Sequence, residues 1–269
     1  MGAPRTPRKE PPVILSCCAW ALSGPEEKNL DQLAELGFHY VDVRPQALRS
    51  PQARQCLADL ELTVPCVAIA FPEVPLDCAD APVAAQAFSQ LVAGLHHARE
   101  LGAATAYVVP GMDGSPAALE RYARALERLA EQAQSLGLRL AIEHFPGRSL
   151  PTAAATLDFI EKIGHPNLYL LFDLGHAQIS GEDPAALIHR AGARLGYVHL
   201  DDNDGRRDQH LGLLDGVLTE ETLRRTWTTL GEVNYQGPIS LELHPQLPDP
   251  LTDLRRSRAV VLRLGLGER

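Results

Sequence analysis

Four apolar runs in the second half of the chain each close on a group that can bind a cation or move a proton. They are Leu140-Ala141-Ile142-Glu143, Leu171-Phe172-Asp173, Val198-His199-Leu200 and Leu241-Glu242-Leu243. One such Asp or Glu is commonly a loop cap or a surface charge. Four in succession are hard to explain as packing. Glu143, Asp173 and Glu242, gathered with no Lys or Arg at the same positions, would repel one another strongly. A divalent cation bound by these three carboxylates and His199 removes that repulsion. Oxygen-rich ligands favour Mn2+, with Mg2+, Co2+ or Zn2+ as the other candidates.

Such a site needs elements that bring the four ends together. Short apolar strands alternate with amphipathic helical runs along the whole chain. Strands are expected at Val13–Ala19, Tyr40–Val43, Leu62–Ala70, Thr105–Val109, Leu138–Glu143, Leu168–Phe172, Leu195–Leu200 and Ile239–Leu243. Helices are expected at Glu26–Leu36, Pro45–Leu60, Val83–Leu101, Ser115–Leu136, Thr152–Ile163, Pro184–Ala191, Thr219–Leu230 and Leu251–Leu264. Thr152 and Thr219 are the expected N-caps of their helices. Every helix but the second is followed directly by Gly, a common stop. Eight strand–helix pairs predict an α/β fold, a single (β/α)8 TIM barrel, whose active site lies where strands end. Residues 1–12 are polar, basic and Pro-rich and read as a flexible N-terminal tail, with the barrel over 13–269.

The totals agree with this reading. The length of 269 residues suits one such barrel, and 45% hydrophobic residues supply its core. No apolar run is long enough to span a membrane. The net charge of −9 argues against a nucleic-acid partner, which would be met by a basic face. Five cysteines with no CxxC spacing argue against a disulfide framework or a thiolate zinc site, and point to a reducing cytoplasm.

Beyond the four strand ends, Phe172-Asp173-Leu174-Gly175-His176, Val198-His199-Leu200-Asp201-Asp202-Asn203-Asp204 and Asp208-Gln209-His210 carry further detail. Together these pieces resemble the xylose isomerase-like barrel family of sugar isomerases and epimerases, over the whole domain from about Val13 to Leu264. The resemblance implies that Glu143, Asp173, His199 and Glu242 bind one metal. It implies that Glu143 and Glu242 also form the acid/base pair, moving the proton α to a carbonyl of a ketose or related polyol through an enediolate. It implies substrate contact or further metal binding by His176, with a strand-six loop cap as the bland alternative. His176, Asp208 and His210 could form a second metal site or close over the substrate. Trp20, Phe71 and Phe145 follow strands and could wall a sugar face or simply pack. Arg206 is a candidate substrate contact, although Gly205 interrupts the Asn-Asp-Arg order of some ketose epimerases. Family members are often dimers or tetramers, so a homo-oligomer is implied.

The alternatives share the site. An inosose-type dehydratase would use nearly the same residues, and a binding protein could retain the metal without turnover. An apurinic endonuclease branch of the same family requires a His at the ends of strands three and four. Val67-Ala68-Ile69-Ala70-Phe71 and Tyr107-Val108-Val109-Pro110-Gly111 have none.

Overall fold

Helix starts in this chain are written as a small oxygen-bearing residue followed closely by proline. Proline is pre-set for the first helical turn and lacks an N–H that the helix could not use there. The computed structural model, which describes residues 14–69 and 76–264, bears this out. Ser50, Asp80, Ser115, Asp183 and Asp249 each accept a backbone N–H with their side chains. They open α2 (Pro51–Asp59), α3 (Ala81–Glu100), α4 (Pro116–Ser135), α7 (Pro184–Ala191) and α9 (Pro250–Arg263). Thr152 and Thr219 cap α5 (Ala153–Ile163) and α8 (Glu220–Glu232) as expected. The first helix, α1 (Glu26–Glu35), starts after Pro25 with Glu26 and Glu27 in its first turn, where the helix dipole favours acidic groups.

Eight strands form the barrel: β1 (Leu15–Cys18), β2 (Tyr40–Asp42), β3 (Cys66–Ala68), β4 (Thr105–Val108), β5 (Arg139–Glu143), β6 (Leu168–Asp173), β7 (Leu195–Leu200) and β8 (Ile239–Leu241). All of their pairings are parallel, in the order β2-β1-β8-β7-β6-β5-β4-β3. The ring closes between β2 and β3 through single bridges, Tyr40 to Thr63 and Val43 to Val67. The large apolar core lies between strands and helices. A smaller cluster of Cys66, Ala68, Tyr107, Ala141, Leu171 and Tyr197 fills the barrel's interior.

Several expected boundaries shift for local reasons. The second helix begins at Pro51 rather than Pro45, because Leu48 adopts φ 56° and Ser50 caps the turn that follows. The third strand shortens to Cys66–Ala68, since Pro65 has no N–H to give a ladder. The expected Gly stop fails at α8, which runs through Gly231 to Glu232 and ends with Asn234 in the left-handed region at φ 55°. An unexpected short helix, α6 (Leu174–Ile179), starts directly on the end of β6. The expected tail at 1–12 lies outside the described residues, as does Phe71.

Candidate metal centre

Glu143 and Asp173 are the last residues of β5 and β6, His199 is the penultimate residue of β7, and Glu242 directly follows β8. Side chains alternate across a strand. The parity that turns Ala141, Leu171 and Tyr197 into the barrel therefore also turns Glu143, Asp173 and His199 inward, one layer higher. The four meet there, each offering one donor atom within 4.8 Å of the others. His199 Nδ1 lies 2.6 Å from Glu242 Oε2, 3.4 Å from Glu143 Oε1 and 3.8 Å from Asp173 Oδ2.

Two of the carboxylates are divided in the same way. Asp173 Oδ1 caps α6 by accepting the His176 N–H at 2.7 Å, while its buried Oδ2 accepts no hydrogen bond. Glu242 Oε1 accepts the Trp20 indole N–H at 2.9 Å, while its buried Oε2 likewise accepts none. Both nitrogens of His199 also lack a hydrogen bond. Buried polar atoms are nearly always satisfied, so orphans gathered around one point call for an explanation. Two oxygens and one nitrogen aimed at a common centre beside a third carboxylate fit a divalent ion. Trp20, expected to wall a sugar face or to pack, reaches the site in another way, by donating its N–H to the candidate ligand Glu242.

The charges agree with crowding. Burial, aided by the nearby Glu242 charge, raises the Glu143 carboxyl above its ordinary range, even though His199 opposes the shift. Burial and Asp201 lift Asp173 to about 7. Burial also pushes Glu242 upward, but the His199 imidazole outweighs it and holds the carboxyl down at about 2. His199 is raised well above the usual imidazole range: burial opposes protonation, and Glu242 and Glu143 overcome it. In the protein without an ion, a proton on His199 neutralises part of the charge that a cation would balance.

His176, Asp208 and His210 are brought together beside this centre. Asp208 Oδ1 lies 3.0 Å from His210 Nε2 and 3.4 Å from His176 Nε2. His176 Nδ1 bonds the His144 carbonyl at 2.8 Å. Behind His210 stands Asp201, fully buried, with Oδ2 2.6 Å from His210 Nδ1. Two imidazoles and two carboxylates already pair in this cluster. Burial works against charging His176, but Asp173 and Asp208 carry it up to about 10. Asp202 holds the loop after β7 by accepting the N–H groups of Asn203, Gly216 and Leu218. The Phe145 ring sits 4.5 Å, centroid to centroid, from the His176 ring. Arg206 is exposed, and its backbone N–H donates to Asp204 Oδ1; the structure does not bring its side chain to the four ligands. Among the described residues β3 and β4 carry no His, and His97 is buried on α3 against the Ala47 carbonyl.

Two residues escape sequence reasoning. Asp201 is hidden in an Asp-Asp pair whose members do different work. Asp42 ends β2 and is fully buried inside the barrel; an acidic residue within Tyr40-Val41-Asp42-Val43 is the signal that marks it. Gly175 is required by close approach, since a Cβ there would overlap the Asp201 carboxylate. Gly175→Ala should destabilise the protein by about 1–3 kcal/mol, the usual range for forcing extra volume into a packed site. Urea denaturation checks this, and a midpoint equal to wild type would refute the packing argument.

A family model described as xylose isomerase-like TIM barrel matches residues 30–263. Among curated relatives, an inosose dehydratase of Geobacillus kaustophilus is 39% identical over 121 residues, 45% of this chain and 37% of that protein. An L-ribulose 3-epimerase of Mesorhizobium japonicum is 29% identical over 198 residues, 67% of this chain and 66% of that protein. The chain spans about half the length of several curated relatives, 46% for an inosose dehydratase of Lacticaseibacillus casei. A solved L-ribulose 3-epimerase superposes with a TM-score of 0.80 at 24% identity, covering 94% of both chains. A D-psicose 3-epimerase solved in the presence of D-fructose gives 0.78 at 19% identity, covering 94% of this chain and 99% of the other. At these identities the solved structures speak to the fold.

Proposed function

The chain belongs to the xylose isomerase-like TIM barrel family, and from that premise we propose that it is a divalent-metal-dependent sugar isomerase or epimerase acting on a ketose or related polyol. The observation that carries this is the set of orphaned atoms of Asp173, His199 and Glu242 turned toward one point beside Glu143. Glu143, Asp173, His199 and Glu242 would hold the ion, with Mn2+ our choice for an oxygen-rich set containing one imidazole. When bound, the ion supplies Lewis-acid polarisation of a substrate carbonyl.

The chain's own groups do the rest. Glu143 ends β5 and Glu242 follows β8, with β6 and β7 between them, so they approach a substrate from two sides. One takes the proton α to the carbonyl, giving the enediolate, and the other returns a proton. Each must come within hydrogen-bond reach of the proton it moves. Without an ion their affinities for protons are driven apart, Glu143 upward by burial and Glu242 downward by His199, which suits an acid and a base. Trp20 fixes the Glu242 carboxylate in rotation through its indole N–H. His176, Asp208 and His210, whose donor atoms also lie within 4.8 Å of one another, are the place for a second ion or for a substrate oxygen beside Phe145. The assignment to the cytoplasm draws support from five unpaired thiols, and no helix among the described residues is long and apolar enough to cross a membrane.

Dehydration of an inosose-type polyol is the second reading, favoured by the inosose dehydratases among the relatives. It also begins with proton removal by a carboxylate. Proton NMR in D2O separates the readings across a panel of ketoses and inososes. An epimerase or isomerase exchanges the α-hydrogen for deuterium and keeps the formula. A dehydratase yields a product lighter by one water. Unchanged spectra with metal-loaded protein across the panel would sink both readings and leave a binding protein.

A further inference from the structure

One layer below the metal centre lies a fully buried carboxylate that the proposed reaction does not use. It is Asp42, at the end of β2. Its Oδ1 accepts the Ser16 hydroxyl at 2.8 Å and the Tyr197 hydroxyl at 2.7 Å. Those two donors fix the carboxylate in rotation. Its Oδ2 accepts the Cys18 thiol S–H at 3.9 Å and lies 3.9 Å from His199 Nε2. His199 is itself clamped edge-on by two tyrosine rings, Tyr197 at 5.7 Å and 90°, and Tyr107 at 5.5 Å and 86°. The imidazole therefore has one nitrogen toward the three ligand carboxylates and the other toward Asp42.

We propose that Asp42 is the positioning residue for His199, setting the imidazole so that its proton stays on Nε2 and its Nδ1 lone pair points at the ion. This inference rests on the metal-centre reading above. A neutral imidazole carries one N–H and one lone pair, and a metal can use only the lone pair. At 3.9 Å the Asp42 carboxylate acts by its field rather than by a direct hydrogen bond. A negative charge behind Nε2 favours the tautomer with hydrogen there, and also makes Nδ1 a stronger donor to a cation. Burying a carboxylate away from water is costly unless something compensates it. Ser16 and Tyr197 satisfy one oxygen, and the other, which accepts the weak Cys18 S–H, is the one turned to His199.

The test is Asp42→Asn, read by the affinity for Mn2+ rather than by turnover. Asn keeps the shape and can still accept from Ser16 and Tyr197. Its amide then faces Nε2 as a donor, which favours a bare Nε2 and a blocked Nδ1. Titration followed by the EPR signal of free Mn2+ should show binding weakened about 10–100-fold, the usual cost of losing such a partner. The metal-free variant loses the Asp42 charge beside a protonated His199 and should melt somewhat lower, so the deciding readout is the Mn2+ affinity. A purely structural role for Asp42 would lower the melting point and leave the affinity alone. Should Asp42→Asn fail to fold, Tyr197→Phe keeps the carboxylate but frees its rotation, and Mn2+ binding should weaken several-fold. Wild-type Mn2+ affinity in whichever variant folds overturns the proposal. If wild type itself takes up no Mn2+, the metal centre falls, and Asp42's proposed role falls with it.

Discussion

Glu143→Gln and Glu242→Gln should each leave a folded barrel that has lost turnover by at least about 1,000-fold. Glutamine keeps the length and shape of glutamate but can neither take a proton nor bring a negative charge to an ion. A positioned acid or base contributes about 10²–10⁴-fold by itself, and each substitution also removes a ligand. The two variants should differ in their metal-free states. Burial, with the Glu242 charge behind it, raises the Glu143 carboxyl, so Glu143→Gln removes a costly buried acid at the loss of a 3.4 Å contact with His199 and should change the melting temperature little. Glu242 pairs with His199 at 2.6 Å and accepts the Trp20 N–H, so Glu242→Gln loses an ion pair and should melt lower. Activity assays beside far-UV circular dichroism and thermal melts decide the matter. Full activity in either variant removes that residue from the acid/base pair.

Stripping divalent ions with a chelator should abolish turnover and soften the fold, and Mn2+ should restore both. A ligand at about 100 times its dissociation constant stabilises the native state by about 2.7 kcal/mol. For a barrel of this size that is a rise in melting temperature of roughly 5–10 °C, at about 2–4 °C per kcal/mol. The gain should shrink as pH falls. His199 is raised well above the ordinary imidazole range and Asp173 to about 7, so both hold protons that an ion must displace. Protons and the ion compete for the same atoms, so acid weakens binding, by up to about tenfold per pH unit for each proton released. Melting curves at pH 6 and pH 8, with and without Mn2+, test the sign. Curves that coincide with and without the ion at pH 8 would rule out the proposed centre.

The fold is readable from the sequence because its two periods are written cleanly. Apolar strands such as Leu168–Asp173 and capped helices such as α5 leave little choice of element. The four candidate ligands stand out because each interrupts or ends an apolar run. Other features depend on neighbours distant in sequence. Asp42 lies in a three-residue strand followed by another valine, and its inward orientation shows only once β1 and β3 flank β2 on the ring. The short helix α6 is stabilised by Asp173, a residue whose apolar context announces a strand end rather than a cap. Asp201 and Asp202 are chemically alike, and only the path of the loop separates the partner of His210 from the acceptor of three backbone N–H groups.

All four candidate ligands ride on β5, β6, β7 and β8, which are consecutive in the ring, whereas β3 and β4 contribute none. The candidate ligands are thereby concentrated in one half of the ring, with Trp20 and Asp42 reaching them from the other. Exchange of the late strands would dismantle the proposed centre as a unit, whereas changes in the loops after β3 and β4 touch none of its candidate ligands. A library in the loops after β1 to β4 that leaves Trp20 and Asp42 in place is one place to seek new sugar preferences. The same partition gives natural selection a way to change the substrate while the proton-moving apparatus is inherited intact.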